Sequence, residues 1–234
     1  FYTPADRLPL AMAPAQTAFL AKALGLRPGQ AVLDLCCGPG RHSLLLARKG
    51  LRVTGLDFCE PYLRQARRRA RRLRVRPRFV QGDMRAIPFR GEFDAAVNLY
   101  TSFGYFRRRG EDLAVLRGVR RALKPGGRLL MEMMHRPWLI RHFTQRDWTE
   151  LDGGYLLEER ELQDAGRRVA TRWVRVYPDG RSRERRLDLR CYDRASLSGL
   201  LRRAGLVPVR FWGGCSGEPL RPDSQRLMVM ARRP

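Results

Sequence analysis

Lysine and asparagine are nearly missing from this 234-residue chain. Lys22, Lys49 and Lys124 are the only lysines among 47 basic residues, and Asn98 is the sole asparagine. Arginine therefore carries almost all of a net charge of +24 and a pI near 11.4. Such a balance ordinarily points to nucleic acid as a partner. A GC-rich genome, which favours arginine codons over those of lysine and asparagine, is a second explanation. Scarce asparagine also suits a thermophile, a reading that a melting temperature in the mesophile range would remove. Cysteine is sparse as well. The five cysteines are odd in number, with Cys36 and Cys37 adjacent, which excludes a disulfide framework. Their spacing with His42, His135 and His142 matches no zinc pattern, so no metal site is expected. A reducing, cytoplasmic setting is the natural expectation. No apolar run reaches the ~18 residues of a membrane span, and no charged-then-apolar leader pattern is visible.

What is there concentrates between residues 32 and 57. An apolar run ends at Asp34-Leu-Cys-Cys-Gly38-Pro-Gly40, a helical pattern follows, and a second short apolar run, 53–57, ends on Asp57. An apolar strand, a glycine turn, a helix and an acid about twenty residues later form the layout of a nucleoside-binding βαβ unit. An adenosine cofactor is the expected ligand. Dinucleotide folds seat a pyrophosphate at this turn. Asp34 would repel one and attract a cation instead, such as the ammonium of an amino-acid moiety. Asp57 can accept both ribose hydroxyls.

The D-x-x-x-G-x-G form of this turn resembles the first motif of the class I S-adenosylmethionine (SAM) dependent methyltransferases. The resemblance covers roughly residues 15–135 and, more loosely, the last forty. Further signals follow in the family's order: Asp57, then Phe79-Val-Gln-Gly-Asp83-Met84, then Phe93-Asp-Ala-Ala-Val-Asn98-Leu-Tyr100, then Leu123-Lys-Pro-Gly-Gly127 leading to Glu132. The resemblance implies SAM as cofactor and S-adenosylhomocysteine (SAH) as product. It assigns Asp34, Cys36, Gly38 and Gly40 to the methionine part and Asp57 with Phe58 to the ribose side. Asp83 and Met84 would hold the adenine, and Asn98 and Leu99 would lie beside the sulfonium.

At 44% hydrophobic residues the chain can bury a full core and fits one α/β domain with an insertion. Strands are expected near 31–36, 52–57, 77–82, 93–99 and 127–134, with helices near 15–24, 40–49, 60–73 and 111–123. Such alternation means parallel strands with crossover helices. In the third helix Leu63, Ala66, Ala70 and Leu73 form the buried stripe, and six arginines between 64 and 72 cover the rest. That face reads first as solvated and second as an RNA-docking surface.

Two turn signals, Asp164-Ala-Gly166 and Pro178-Asp-Gly180, then punctuate three strand segments at 156–162, 168–177 and 183–192, an antiparallel meander. Residues 1–147 are read as the SAM-binding core, 148–192 as an insertion acting as a lid or dimer contact, and 193–234 as completion of the core sheet. Asp193 should cap the last helix, whose stripe is Leu197, Leu200, Leu201 and Ala204 before the stop at Gly205. Strands near 206–212 and 225–231 follow. The fold class is Rossmann-like: a seven-stranded, mostly parallel sheet with helices on both faces, its last strand antiparallel as the resemblance implies. Residues 1–30 suffice only for an entrance strand or helix.

Methyl transfer asks little covalent chemistry of a protein, because holding two reactants together and partly desolvated supplies most of the rate. Catalytic candidates cluster where strands four and five end. Tyr100 and Tyr105 offer hydroxyls and rings suited to a sulfonium, and His135 is the candidate base. Arg136 can bind an acidic group. Neither a Pro-Pro-aromatic sequence nor a cysteine nucleophile follows strand four, which counts against nucleobase chemistry. The expected activity is methyl transfer to nitrogen or oxygen of a small-molecule acceptor, by a monomer or homodimer without membrane attachment. The alternatives are an RNA methyltransferase using the arginine surface and a SAM-binding protein without transfer. Tyr2, Arg221 and Asp223 are further residues expected near the pocket.

Overall fold

The computed structural model describes residues 12–234; Tyr2 lies outside them. Two buried layers flank a central sheet because its middle strands send apolar side chains to both faces. Strand β1 (Ala31–Leu35) is buried along its whole length. Val32 joins a cluster with Leu20, Leu24, Leu46 and Leu130, while Leu33 and Leu35 join the opposite one with Leu56, Leu116 and Leu129. This is the pattern of a parallel strand covered on both sides.

Helix α1 (Ala13–Leu24) precedes β1, and α2 (Arg41–Arg48), β2 (Arg52–Asp57), α3 (Glu60–Arg72) and β3 (Arg78–Gln81) follow it. Then come β4 (Phe93–Asn98), α4 (Arg109–Ala122), β5 (Leu123–Met134) and a short α5 (Arg136–Arg141). A four-stranded antiparallel sheet intervenes: β6 (Arg146–Leu151), β7 (Gly154–Gln163), β8 (Arg168–Val176) and β9 (Ser182–Arg190). Helix α6 (Arg194–Arg203), β10 (Val207–Trp212) and β11 (Arg226–Arg232) complete the chain. The main sheet has seven strands in the order β10-β11-β5-β4-β1-β2-β3. Pairs from β5 through β3 are parallel, and β11 runs antiparallel to both β5 and β10. The expected Rossmann-like architecture is thus the observed one.

Three details differ from the sequence reading. Leu73 was expected in the buried stripe of α3, but that helix buries only Leu63, Ala66 and Ala70. Leu73 is its C-cap, outside the last helical turn, and is 44% exposed. Strand β6 was not foreseen: Arg146-Asp-Trp-Thr-Glu-Leu151 has no apolar alternation, and it forms by pairing with β7 as an edge strand. Helix α5 was not foreseen either; it starts where β5 ends, with His135 at its N-cap. The α6 cap is as expected, Asp193 accepting from the Ser196 N–H at 2.8 Å.

The antiparallel sheet is anchored to the core at one corner. The Arg190 N–H donates to the Gly104 carbonyl at 2.8 Å. Gly104 has φ +103°, and a Cβ there would lie 2.5 Å from the Arg190 carbonyl oxygen. The Arg190 side chain reaches Asp112 on α4, which also accepts from the Tyr192 hydroxyl at 2.7 Å. Both members of this ion pair are buried. Removing either one would leave a charge without compensation.

Candidate functional site

In a parallel sheet the carboxyl ends of the strands, and the loops after them, form the crevice where ligands bind. Here that edge is shaped by backbone that ordinary residues avoid. Cys36 after β1 has φ +61°, and Tyr100 and Thr101 after β4 have φ +57° and +52°. Each costs on the order of 1 kcal/mol and persists only where its surroundings hold it. Cys36 is held by its N–H to the Leu56 carbonyl at 2.8 Å. Tyr100 is held by its N–H to Glu132 Oε2 at 2.6 Å, and Thr101 by its N–H to the Glu132 carbonyl at 3.1 Å.

The glycine turn serves two purposes. A Cβ on Gly40 would meet Ala66 at 3.0 Å and Phe79 at 3.1 Å, so glycine lets α2 start close against α3 and β3. Gly38, with φ +53°, has nothing within 4 Å of a Cβ position, so its missing side chain faces open space. Its N–H donates to Asp57 Oδ2 at 2.7 Å, and the Cys59 N–H donates to Oδ1 at 2.8 Å. The carboxylate of Asp57 thereby ties the turn after β1 to the end of β2. Phe58, the next residue, is 76% exposed. An aromatic ring left in solvent beside a buried acid is a surface for a planar ligand to cover.

Asp34 is buried and accepts from Ser43 Oγ on α2 at 2.5 Å. Burial pushes its carboxyl up to about 6, and the nearby charge of Asp57 adds to the rise. Asp57 is pushed up as well, by burial, against the pull of its backbone donors. Neither carboxylate takes part in an ion pair among the described residues. Asn98, at the end of β4, donates from Nδ2 to the Leu35 carbonyl at 3.0 Å, while its Oδ1 is buried without a partner. Leu99 is buried beyond it.

Asp83 and Met84 follow β3. Met84 is buried, its sulfur 3.4 Å from Cys36 Sγ. Asp83 remains partly exposed and is already engaged: Arg85 reaches it at 2.6 Å and also pairs with Glu111 at 2.7 Å. That guanidinium holds the Asp83 carboxyl below the usual carboxylate range. Any adenine amino group would share this acid with Arg85.

Of the three catalytic candidates, Tyr100 has its hydroxyl committed to Gln16 Oε1 on α1 at 2.8 Å. Its ring lies under the Arg41 guanidinium, whose carbon is 4.0 Å from the ring centroid. Tyr105 stands among Cys36, Cys191 and Arg226, and burial pushes its phenol above the usual value. A phenol so raised stays protonated at neutral pH and serves as a donor. His135 is buried, with Nδ1 3.1 Å from the Ser224 carbonyl. Only a protonated Nδ1 can make that bond, so Nε2 carries the lone pair. Burial lowers its pKa, keeping the ring neutral.

Other groups here escaped the sequence reading. Arg41, directly after the glycine turn, is buried, and its Nη1 has no hydrogen-bond partner. His42 donates to Gln16 Oε1 at 3.2 Å and is held neutral, its pKa lowered to about 3 by burial and by Arg41. Arg226 on β11 pairs with Glu132 and donates to Thr101 Oγ1 at 3.1 Å, locking β11 to the strained loop. The adjacency of Arg41 to Gly40 was the one signal available in the sequence. The others meet only through the fold.

Tyr100, Glu132 and Arg226 line a cavity of about 780 Å³ together with residues of the segment 213–226; of the three catalytic candidates only Tyr100 lines it. Arg221 and Asp223 line it, as expected. A family model described as a methyltransferase domain matches residues 32–127, the stretch that carries the turn, both acids and β4. Residues 32–127 are a methyltransferase domain. The whole described chain carries the class I, Rossmann-like methyltransferase fold. Its likeness to the CcbJ methyltransferase of Streptomyces caelestis extends over 95% of this chain and 89% of that one, with a TM-score of 0.81 at 20% identity. SAM-bound CalS10 of Micromonospora echinaspora, an amino pentose methyltransferase of calicheamicin biosynthesis, covers 100% and 98%, with a TM-score of 0.71 at 22% identity. In sequence, an uncharacterized methyltransferase of Synechocystis is 38% identical over 121 residues, 50% of this chain and 54% of that protein. The chain spans about half the length, or less, of the curated relatives it matches. The methyltransferase domain includes Asp34, Gly38, Gly40, Asp57, Asp83 and Asn98, whereas His135 and the segment 213–226 lie outside it.

Proposed function

We propose that this protein transfers a methyl group from SAM to a nitrogen or oxygen of a small-molecule acceptor seated in the 780 Å³ cavity. The observation that carries this reading is the pair of buried carboxylates, Asp34 and Asp57, with no ion-pair partner among the described residues, on the edge that opens at Gly38. Burial disfavours the charge on each, so a cationic ligand that lowers their pKa values by its charge binds favourably there. SAM supplies such charge, a sulfonium whose methyl is electrophilic, together with an ammonium.

The residues present fit it. Asp57 keeps lone pairs for two ribose hydroxyls, Phe58 offers a face to the adenine, and Gly38 leaves room for close approach of the ligand to the backbone. Asp83 with Met84 borders the adenine edge. Asn98 Oδ1 needs a donor, and Arg41 Nη1 needs an acceptor such as a carboxylate. Cys36, Gly40 and Leu99 shape the walls without supplying charge; burial pushes the Cys36 thiol far up, so it stays protonated.

The chain then acts by placement. Tyr100, fixed by Gln16 and Glu132, closes one side of the cavity. Tyr105 does not line the cavity and is given no contact with the acceptor. His135 does not line it either; neutral and bound to the carbonyl of Ser224, which does, it holds that wall in place. The acceptor class is supported by the cavity's size and mixed charge, Arg221 beside Asp223, and by the likeness to an amino pentose methyltransferase.

The test is transfer of labelled methyl from SAM into a lysate separated into small-molecule, RNA and protein fractions. Label confined to the small-molecule fraction is the expected outcome. Label in RNA or protein, or none at all, overturns the reading.

A further inference from the structure

The chain's positive charge is unevenly compensated. In the antiparallel sheet, Arg160, Arg168, Arg172 and Arg186 each sit within 3.1 Å of a carboxylate oxygen. The segment 60–78 is different. It holds nine arginines and one acid, Glu60. Among the described residues its one ion pair is Arg67 with Glu60, at 2.7 Å. Arg64, Arg68, Arg71 and Arg72 point outward from α3, and Arg74, Arg76 and Arg78 follow it in exposed positions.

These last three turn into a cleft of about 810 Å³ beneath the sheet. Arg52 and Lys124 line its other walls, Lys124 paired with Asp94 at 2.7 Å, and Glu92 is the one acid among its lining residues. The cleft lies where β1, β2 and β4 begin, so it occupies the edge opposite the methyltransferase site. Helix α3 runs back from the end of β2 toward it, so the exposed arginines of the helix and then Arg74, Arg76 and Arg78 follow one another along the chain into the cleft, a cationic track. The helix accounts for about 20 Å of that track, at roughly 1.5 Å per residue.

Part of this charge has a local use. Arg69, Arg71 and Arg72 stand in the last turn of α3, where cations interact well with the helix dipole. That does not cover Arg64, Arg68, Arg74, Arg76 or Arg78. Mutual repulsion of such a row is relieved only by salt or by a bound polyanion.

We propose that this track binds the phosphodiester backbone of RNA, as a docking surface separate from the reacting edge. A strand of phosphates matches a row of guanidinium groups in charge, and arginine binds phosphate through paired N–H donors. An anionic membrane fits less well. A helix lying in a membrane buries its apolar face there, and the apolar stripe of α3, Leu63, Ala66 and Ala70, is already spent on the sheet. Bound RNA therefore lies at the start of the strands, whereas methyl transfer belongs to their ends. It is a partner and not the acceptor. This inference does not depend on the proposed chemistry.

The test uses fluorescence anisotropy with a labelled single-stranded RNA of about 20 nucleotides, long enough to span one binding groove. Affinity is followed across salt concentrations. The native chain is compared first with a track variant (Arg68→Gln, Arg71→Gln, Arg72→Gln) and a charge-matched control (Arg183→Gln, Arg202→Gln, Arg232→Gln). All six positions are exposed. With about 0.7 counterions released per single-strand phosphate contact, the track variant should lower the salt slope by about 2. Its affinity should fall at least tenfold, while the control changes less than twofold. A second track variant, Arg76→Gln, guards against an effect of helix stability and should weaken binding without moving the melting temperature. Equal weakening by track variant and control would mean that net charge alone is sensed, which overturns the proposal. Binding to phosphatidylserine vesicles with no RNA binding overturns it as well.

Discussion

Asp57→Ala separates the two tasks assigned to one carboxylate. In the free protein Asp57 accepts from Gly38 and Cys59, at 2.7 and 2.8 Å. Hydrogen bonds to a charged acceptor contribute about 1.5–3 kcal/mol each, so the gross loss is roughly 3–6 kcal/mol. Two effects offset it. The variant no longer buries a charge that the site pushes up, and both donors lie in half-buried positions that water can reach. A net stability loss of about 2 kcal/mol is expected, read as a lower melting temperature. The cofactor loses more. Two ribose hydroxyls bound to the carboxylate, at about 1.5 kcal/mol each, amount to about 3 kcal/mol, or on the order of a hundredfold in affinity. Calorimetric titration with SAH measures this directly. Titration with 2′-deoxy-SAH separates contact from preorganisation. The native protein should bind the deoxy analogue more weakly than SAH, and the variant should not distinguish the two. If Asp57→Ala left SAH affinity intact, or if the variant still penalised the missing hydroxyl, Asp57 would not be the ribose acid.

Three further outcomes are expected. Asp34 has a folded-state pKa near 6 against an ordinary 3.8. Its protonated form therefore favours folding below about pH 4, and that contribution is lost as pH rises through 6. Asp34→Asn should gain on the native protein by up to about 3 kcal/mol between pH 4 and 7, and parallel denaturation curves at both pH values would refute this. Arg41→Met should weaken SAM binding at least tenfold while leaving adenosine binding within twofold, because only SAM brings a carboxylate to the unpartnered Nη1; equal losses for both ligands would place Arg41 elsewhere. Asp112→Ala strands Arg190 in a buried position and should cost about 3–5 kcal/mol in chemical denaturation, and a change under 1 kcal/mol would mean that the corner relaxes.

The parts of the site that could be read from the sequence are those where chemistry and backbone geometry are local. Gly38 and Gly40 announce a turn that needs positive φ, and an acid at the end of each of two short apolar runs announces polar groups at strand ends. Period and turn residues likewise place the ten strands and five helices that were expected, because each element's burial pattern is written within its own span. What could not be read are contacts between residues far apart in the chain. Gln16 accepts from Tyr100 across 84 positions, Arg226 pairs with Glu132 across 94, and Asp112 joins Arg190 across 78. Each requires knowing which elements become neighbours, a property of strand order and not of any window of sequence. Strand β6 is the intermediate case: its residues carry no strand signal of their own, and pairing with β7 imposes the conformation.

The same contrast bears on how the strained loop after β4 works. Tyr100 and Thr101 stand at positive φ with ordinary side chains, a conformation that would relax if the chain were free. Four long-range contacts prevent it: Glu132 to the Tyr100 N–H, the Glu132 carbonyl to the Thr101 N–H, Gln16 to the Tyr100 hydroxyl, and Arg226 to Thr101 Oγ1. They come from α1, β5 and β11, elements that meet only when the sheet is complete. The loop that borders both the cofactor edge and the acceptor cavity is therefore held from three sides. Rigidity at this point is what a reaction governed by placement requires, because a small displacement between the two reactants forfeits much of the rate. It follows that changes at Gln16 should lower turnover more than they lower stability, although Gln16 is remote in sequence from every residue of the methyltransferase domain's glycine turn.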